Sequence, residues 1–105
     1  MPTLPAGVHK EAEIASAVAE VEKLLAPDVV RIRYEITTDW NDDWAVYFRV
    51  VLSDKASKKN RLREVVANIE AQLAERLDYD ALGLYHYHHY RSKSEQAELR
   101  GKAWP

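Results

Sequence analysis

Two stretches decide the fold: Val29-Val-Arg-Ile-Arg-Tyr-Glu-Ile-Thr37 and Trp44-Ala-Val-Tyr-Phe-Arg-Val-Val-Leu52. In the first, Val30, Ile32, Tyr34 and Ile36 alternate with Arg31, Arg33, Glu35 and Thr37. In the second, Trp44, Val46, Phe48, Val50 and Leu52 share one side, and Ala45, Tyr47, Arg49 and Val51 the other. A period of two is the mark of a strand with one buried face. The polar Thr38-Asp-Trp-Asn-Asp-Asp43 between them is a turn, so the pair forms a hairpin. Its register is constrained, because directly opposed residues must share a sheet face. Ile32 therefore faces Phe48 or Val50, and Arg49 falls opposite Arg31 or Arg33. Like charges in direct opposition cost stability, so that face must be wet or must supply an acid.

Working outward, Ile14, Val18, Val21 and Leu25, widened by Ala17 and Leu24, predict an amphipathic helix from Lys10 to Ala26, stopped by Pro27. Leu62, Val65, Val66, Ile69, Leu73 and Leu77 predict a second helix over Ser57 to Leu77, with Ser53, Asp54 and Ser57 as candidate caps. Leu82 to Arg91 reads as a third strand. Ser92-Lys-Ser-Glu95 matches a capping box for a short helix to Arg100, closed by Gly101 within a tail of residues 92–105 that ends Trp104-Pro105. Residues 1–9 carry prolines and a glycine and are expected to be loose.

This order, α-β-β-α-β, predicts an α+β two-layer sandwich. The expected sheet is antiparallel throughout, in the order 2-1-3, with both long helices on the face of Ile32 and Phe48. The alternative is 1-2-3 with one parallel pair. The other face is left uncovered and carries Arg31, Arg33, Tyr47 and Arg49. Inward-pointing Leu82 and Leu84 would add Tyr85, Tyr87 and His89 to it.

A chain of 105 residues suits a single domain, 1–105. It has no Cys, which leaves no disulfide framework and no thiolate chemistry. The N-terminus lacks signal-peptide character, and no apolar run nears the ~20 residues of a membrane span. The expected location is the cytoplasm. A net charge of −2 argues against a dedicated nucleic-acid binder. Six Tyr and three Trp against one Phe favour half-wet interfaces over sealed cores.

Four constellations stand out. Arg31, Arg33, Tyr47, Arg49, Tyr85 and Tyr87 form the candidate partner-binding face, since Arg and Tyr combine area, hydrogen bonding and stacking. The same residue types stack bases in single-strand binders, and they also occur on plain solvated sheet faces. Lys55, Lys58, Lys59 and Arg61 gather at a helix N-terminus and are candidate anion ligands, although such runs usually serve only as solvated charge. His86 and His88 point to one side of a strand and make a partial metal site that still needs further ligands. The turn with Asp39, Asp42 and Asp43 lacks the Gly and distal Glu of an EF-hand loop. No Gly-rich phosphate loop, nucleophile elbow or His-Glu-x-x-His motif is present, so no catalytic residue and no cofactor is assigned.

The segments Val30-Arg-Ile-Arg-Tyr-Glu-Ile36, Phe48-Arg-Val-Val-Leu-Ser-Asp54, Arg61-Leu-Arg-Glu64, Leu82-Gly-Leu-Tyr85 and Tyr90-Arg-Ser-Lys-Ser-Glu-Gln96 resemble small uncharacterised bacterial proteins encoded beside HEPN-domain proteins, in toxin–antitoxin-like pairs. The resemblance implies a partner-binding role, and the strand-three histidines lie outside its pattern. Three functions are therefore carried forward. The first is a non-enzymatic module binding a protein partner, antitoxin-like toward a HEPN-type ribonuclease, or a second copy of itself. The second is an RNA- or DNA-contacting domain using the Arg/Tyr face and the basic run. The third is a metal-dependent enzyme using His86 and His88.

Overall fold

The computed structural model describes residues 4–99. In chain order these are α1 (Ala6–His9), α2 (Glu11–Leu24), β1 (Val29–Thr38), β2 (Trp44–Leu52), α3 (Lys59–Arg76), α4 (Tyr79–Leu82), β3 (Tyr85–Ser92) and α5 (Lys93–Leu99). The fold is α+β, with a three-stranded mixed sheet. Ile14, Val18 and Val21 of α2 and Val65, Ile69 and Leu73 of α3 share one core with Ile32, Val46, Phe48 and Val50, so both long helices cover the same sheet face.

The strand order corrects the expected 2-1-3. It is β1-β2-β3, with β1 and β2 antiparallel and β2 and β3 parallel. One amide on the outer edge of β1 is taken by a helix side chain. Glu22 of α2 accepts a hydrogen bond from the Ile32 backbone N–H at 2.8 Å, and Glu11 accepts from the Tyr34 hydroxyl at 3.0 Å. The chain leaving α3 pairs with β2, the natural outcome of a strand–helix–strand crossover between parallel neighbours.

The hairpin takes the register with Ile32 opposite Val50 and Arg33 opposite Arg49. An irregularity between Val29 and Arg31 shifts the alternation at the start of β1. Val29 is therefore buried and Val30 is 44% exposed, reversing its expected inward place. Leu24 and Leu62 also turn outward from the helical stripes assigned to them.

The N-terminal segment, expected to be loose, is folded in residues 4–9. Gly7 is buried in α1, where an added Cβ would run into the Leu84 side chain and come within 3.0 Å of the Leu82 carbonyl oxygen. Leu82 ends α4 rather than opening β3, and Gly83 turns the chain with φ 69°. The capping box forms as read: Ser92 Oγ accepts from Glu95 N–H, and Glu95 accepts from Ser92 N–H. Lys58, not Ser57, precedes α3 and supplies no side-chain cap. Asp54 is drawn away to α5, where it accepts from the Ser94 amide and hydroxyl. Arg100, Gly101, Trp104 and Pro105 lie outside the described residues.

At Gly83 an added Cβ would meet Pro5 Cβ at 2.9 Å in a backbone conformation that L-residues disfavour. Gly83→Ala is expected to lower stability by about 1–2 kcal/mol, read from urea unfolding, with far-UV circular dichroism unchanged.

Candidate functional site

The face opposite the helices is a grid of three strands. The registers align Arg31, Val51 and Arg91 in one row, then Arg33, Arg49 and His89, then Glu35, Tyr47 and Tyr87, then Thr37, Ala45 and Tyr85. All six candidate partner-binding residues, Arg31, Arg33, Tyr47, Arg49, Tyr85 and Tyr87, thus lie on one surface. Ala45 and Val51 in the central strand are buried between their larger neighbours.

Opposition of Arg33 and Arg49 is relieved on the same face. Arg49 donates to Glu35 at 2.8 Å, diagonally across the hairpin, which meets the requirement for an acid that the register imposed. Tyr47 stacks on Tyr87 with ring centroids 5.0 Å apart, and on His89 at 6.1 Å. Rings stacked across neighbouring strands turn their faces to one another and present edges outward. Trp40, from the hairpin turn, leans on Tyr87 at 5.4 Å and remains 75% exposed. Its neighbour Trp44 packs against the core instead.

Asp39 is the residue that the sequence undervalued. It is buried, and it accepts from the Tyr87 hydroxyl at 2.8 Å and from the backbone N–H groups of Asn41 and Asp43. Burial pushes its pKa up, but the three hydrogen bonds outweigh that and hold it below the ordinary value of 3.8. The same bond, helped by burial, pushes the Tyr87 hydroxyl up to about 12. The acidic turn is thus a clasp that fixes the aromatic face. The available signal was the Asx pattern of Asp39 ahead of Asn41 and Asp43.

The basic run is partly spent. Arg61 makes a two-pronged contact with Asp28, at 3.1 and 2.8 Å, which lowers the Asp28 pKa. Lys55, Lys58 and Lys59 are exposed around the start of α3. The four candidate anion ligands therefore do not act as one free cluster.

His86 and His88 are opposite Val46 and Phe48, so they belong to the helix-covered face. Their ring nitrogens face each other, His86 Nδ1 to His88 Nε2 at 2.9 Å, and Tyr79 stacks on His86 at 3.9 Å. Burial lowers the His88 pKa, with Glu70 opposing, and pushes the Tyr79 hydroxyl up to about 12. Among the described residues no group of three or more His, Cys, Asp or Glu side chains converges as a metal site. A histidine pair alone falls short of the ligand count that zinc takes. A shallow groove of about 660 Å³ runs past Leu77, Asp78, Tyr79, Tyr85 and His86, but Asp78 there is committed to capping α4 through Ala81 N–H.

No protein-family model, curated protein or solved structure matches the chain. No helix among the described residues is long and apolar enough to cross a membrane.

The clasp makes a signed prediction. Asp39, with its folded pKa depressed, adds stability above the unfolded value near 3.8 that is lost as the pH falls through the folded pKa. Tyr87, raised from 10.0, adds stability that is full below 10.0 and lost as the pH rises through about 12. Tyr87→Phe is expected to lower Tm at neutral pH, move the acid unfolding midpoint to higher pH and remove one late-ionising tyrosine. Thermal melts across pH and a spectroscopic tyrosinate titration check all three.

Proposed function

We propose that the chain is a non-enzymatic cytoplasmic interaction module that holds a partner protein on the uncovered face of its sheet. The observation that carries this reading is the grid itself. Guanidinium groups of Arg31, Arg33 and Arg49 stand beside the mutually stacked Tyr47, Tyr87 and His89, with the exposed Trp40 at the rim. Aromatic and Arg side chains are the residues that protein interfaces concentrate at their energetic centres. Because Tyr47 and Tyr87 already spend ring faces on each other, the surface offers ring edges and guanidiniums more than open stacking platforms. That suits a folded polypeptide surface better than splayed bases. The partner to try first is a HEPN-type ribonuclease, on the strength of the resemblance carried between Val30 and Arg100.

The exposure of Trp40 favours a second reading, single-stranded nucleic acid, in which that ring would stack a base. Against it, the net charge is −2 and Arg61 of the basic run is paired with Asp28. The two readings separate by salt, since phosphate contacts give a steep ionic-strength dependence.

Reversing charge in the triple variant Arg31→Glu, Arg33→Glu, Arg49→Glu is expected to weaken capture of the native-host partner by at least about tenfold. Trp40→Ala should weaken it while leaving Tm nearly unchanged. Pull-downs from the native host, with thermal melts as the folding control, read both. Undiminished capture by the triple variant rules out this face, and salt-sensitive binding of mixed oligonucleotides selects the second reading.

A further inference from the structure

The two edges of the sheet are not alike. On β1 the edge is guarded: Glu22 accepts from the outward Ile32 N–H, an irregularity interrupts the pairing between Val29 and Arg31, and Arg33 and Glu35 place charges along the strand. Such features are how sheets avoid joining others edge to edge. On β3 none of them is present. From Tyr85 to Tyr90 the strand has no Pro, Lys, Arg, Asp or Glu. Its backbone over those residues hydrogen-bonds only to β2 among the described residues. Among the described residues, α5 is anchored through Ser94 to Asp54, just beyond the end of β2.

We propose that β3 pairs antiparallel with β3 of a second copy of this chain, joining two three-stranded sheets into one continuous sheet. Self-pairing is favoured over pairing with an unrelated strand because the sequence of β3 complements its own reverse. A two-fold axis normal to the sheet keeps both helix layers on one side and both uncovered faces on the other. With the axis at His88, the middle of the strand, Tyr87 lies opposite His89 of the partner subunit, and Tyr85 opposite Arg91 of the partner subunit. The first contact extends the stack of Tyr47 on Tyr87 and His89 across the junction. At the second, Tyr85 is 58% exposed in the single chain, and the Arg91 guanidinium keeps its bond to Gln96 Oε1 at 3.1 Å. No like-charged residues meet at neutral pH. The same pairing on β1 would need Glu22 displaced and would crowd Arg31 and Arg33. The uncovered faces of the two copies would then form one surface of doubled length, a consequence independent of which partner that surface takes.

Sedimentation equilibrium of the wild-type chain is expected to give twice the 12.1 kDa of one chain at micromolar concentration, dissociating on dilution. Hydrogen exchange followed by mass spectrometry should show protection of residues 85–91 that rises with protein concentration, while residues 29–38 stay constant. The double variant Tyr85→Lys, His89→Lys alters two exposed side chains and is expected to weaken the dimer about tenfold or more. A chain that stays monomeric at hundreds of micromolar overturns the proposal. So does a dimer whose concentration-dependent protection lies outside β3, or one that the double variant, folded by circular dichroism, leaves intact. The exchange measurement on the wild type decides the matter even if the variant does not fold.

Discussion

The Glu22 carboxylate of α2 takes one amide on the outer edge of β1, the Ile32 N–H. The third strand pairs on the other side of the hairpin, against β2. Its placement on β2 makes Trp44–Leu52 the central strand, which explains why Ala45 and Val51 on the uncovered face are buried as well as Val46, Phe48, Val50 and Leu52 on the helix-covered one. It also puts Tyr87 beside Tyr47 and within reach of Asp39. In the order 2-1-3, Tyr47 would have had no aromatic neighbour across the sheet.

The uncovered face is consequently ordered by its own contacts and not by a covering layer. Asp39 grips Tyr87, Tyr87 stacks on Tyr47, and Glu35 relieves the opposition of Arg33 and Arg49. Holding side chains in place before binding lowers the entropy that association must otherwise supply. The same economy is missing at the start of α3, where Arg61 is spent on Asp28 and the lysines around it stand singly in solvent.

Much of this was legible in the residues. Periodicity placed both hairpin strands, the register choice reduced to two options of which one occurs, and the capping box at Ser92 forms. The turn at Gly83 and the folding of residues 4–9 were not legible, because both depend on Gly7 and Leu84, far apart in the chain, meeting in space. Val30 was misplaced because one irregular residue inverts the alternation before it, and nothing in a Val-Val pair says where that break falls.

The sequence by itself determined the elements and the two faces of the hairpin, because alternation and helical spacing are local properties of a chain that must bury one side of each element. Tertiary structure alone decided the strand order, the guarding of one edge and the joining of Asp39, Trp40, Tyr47 and Tyr87 into one surface. Those depend on contacts between residues far apart in the chain. The two sheet orders satisfy the same hydrophobic pattern, and the difference between them lies in a few polar contacts that no periodicity records.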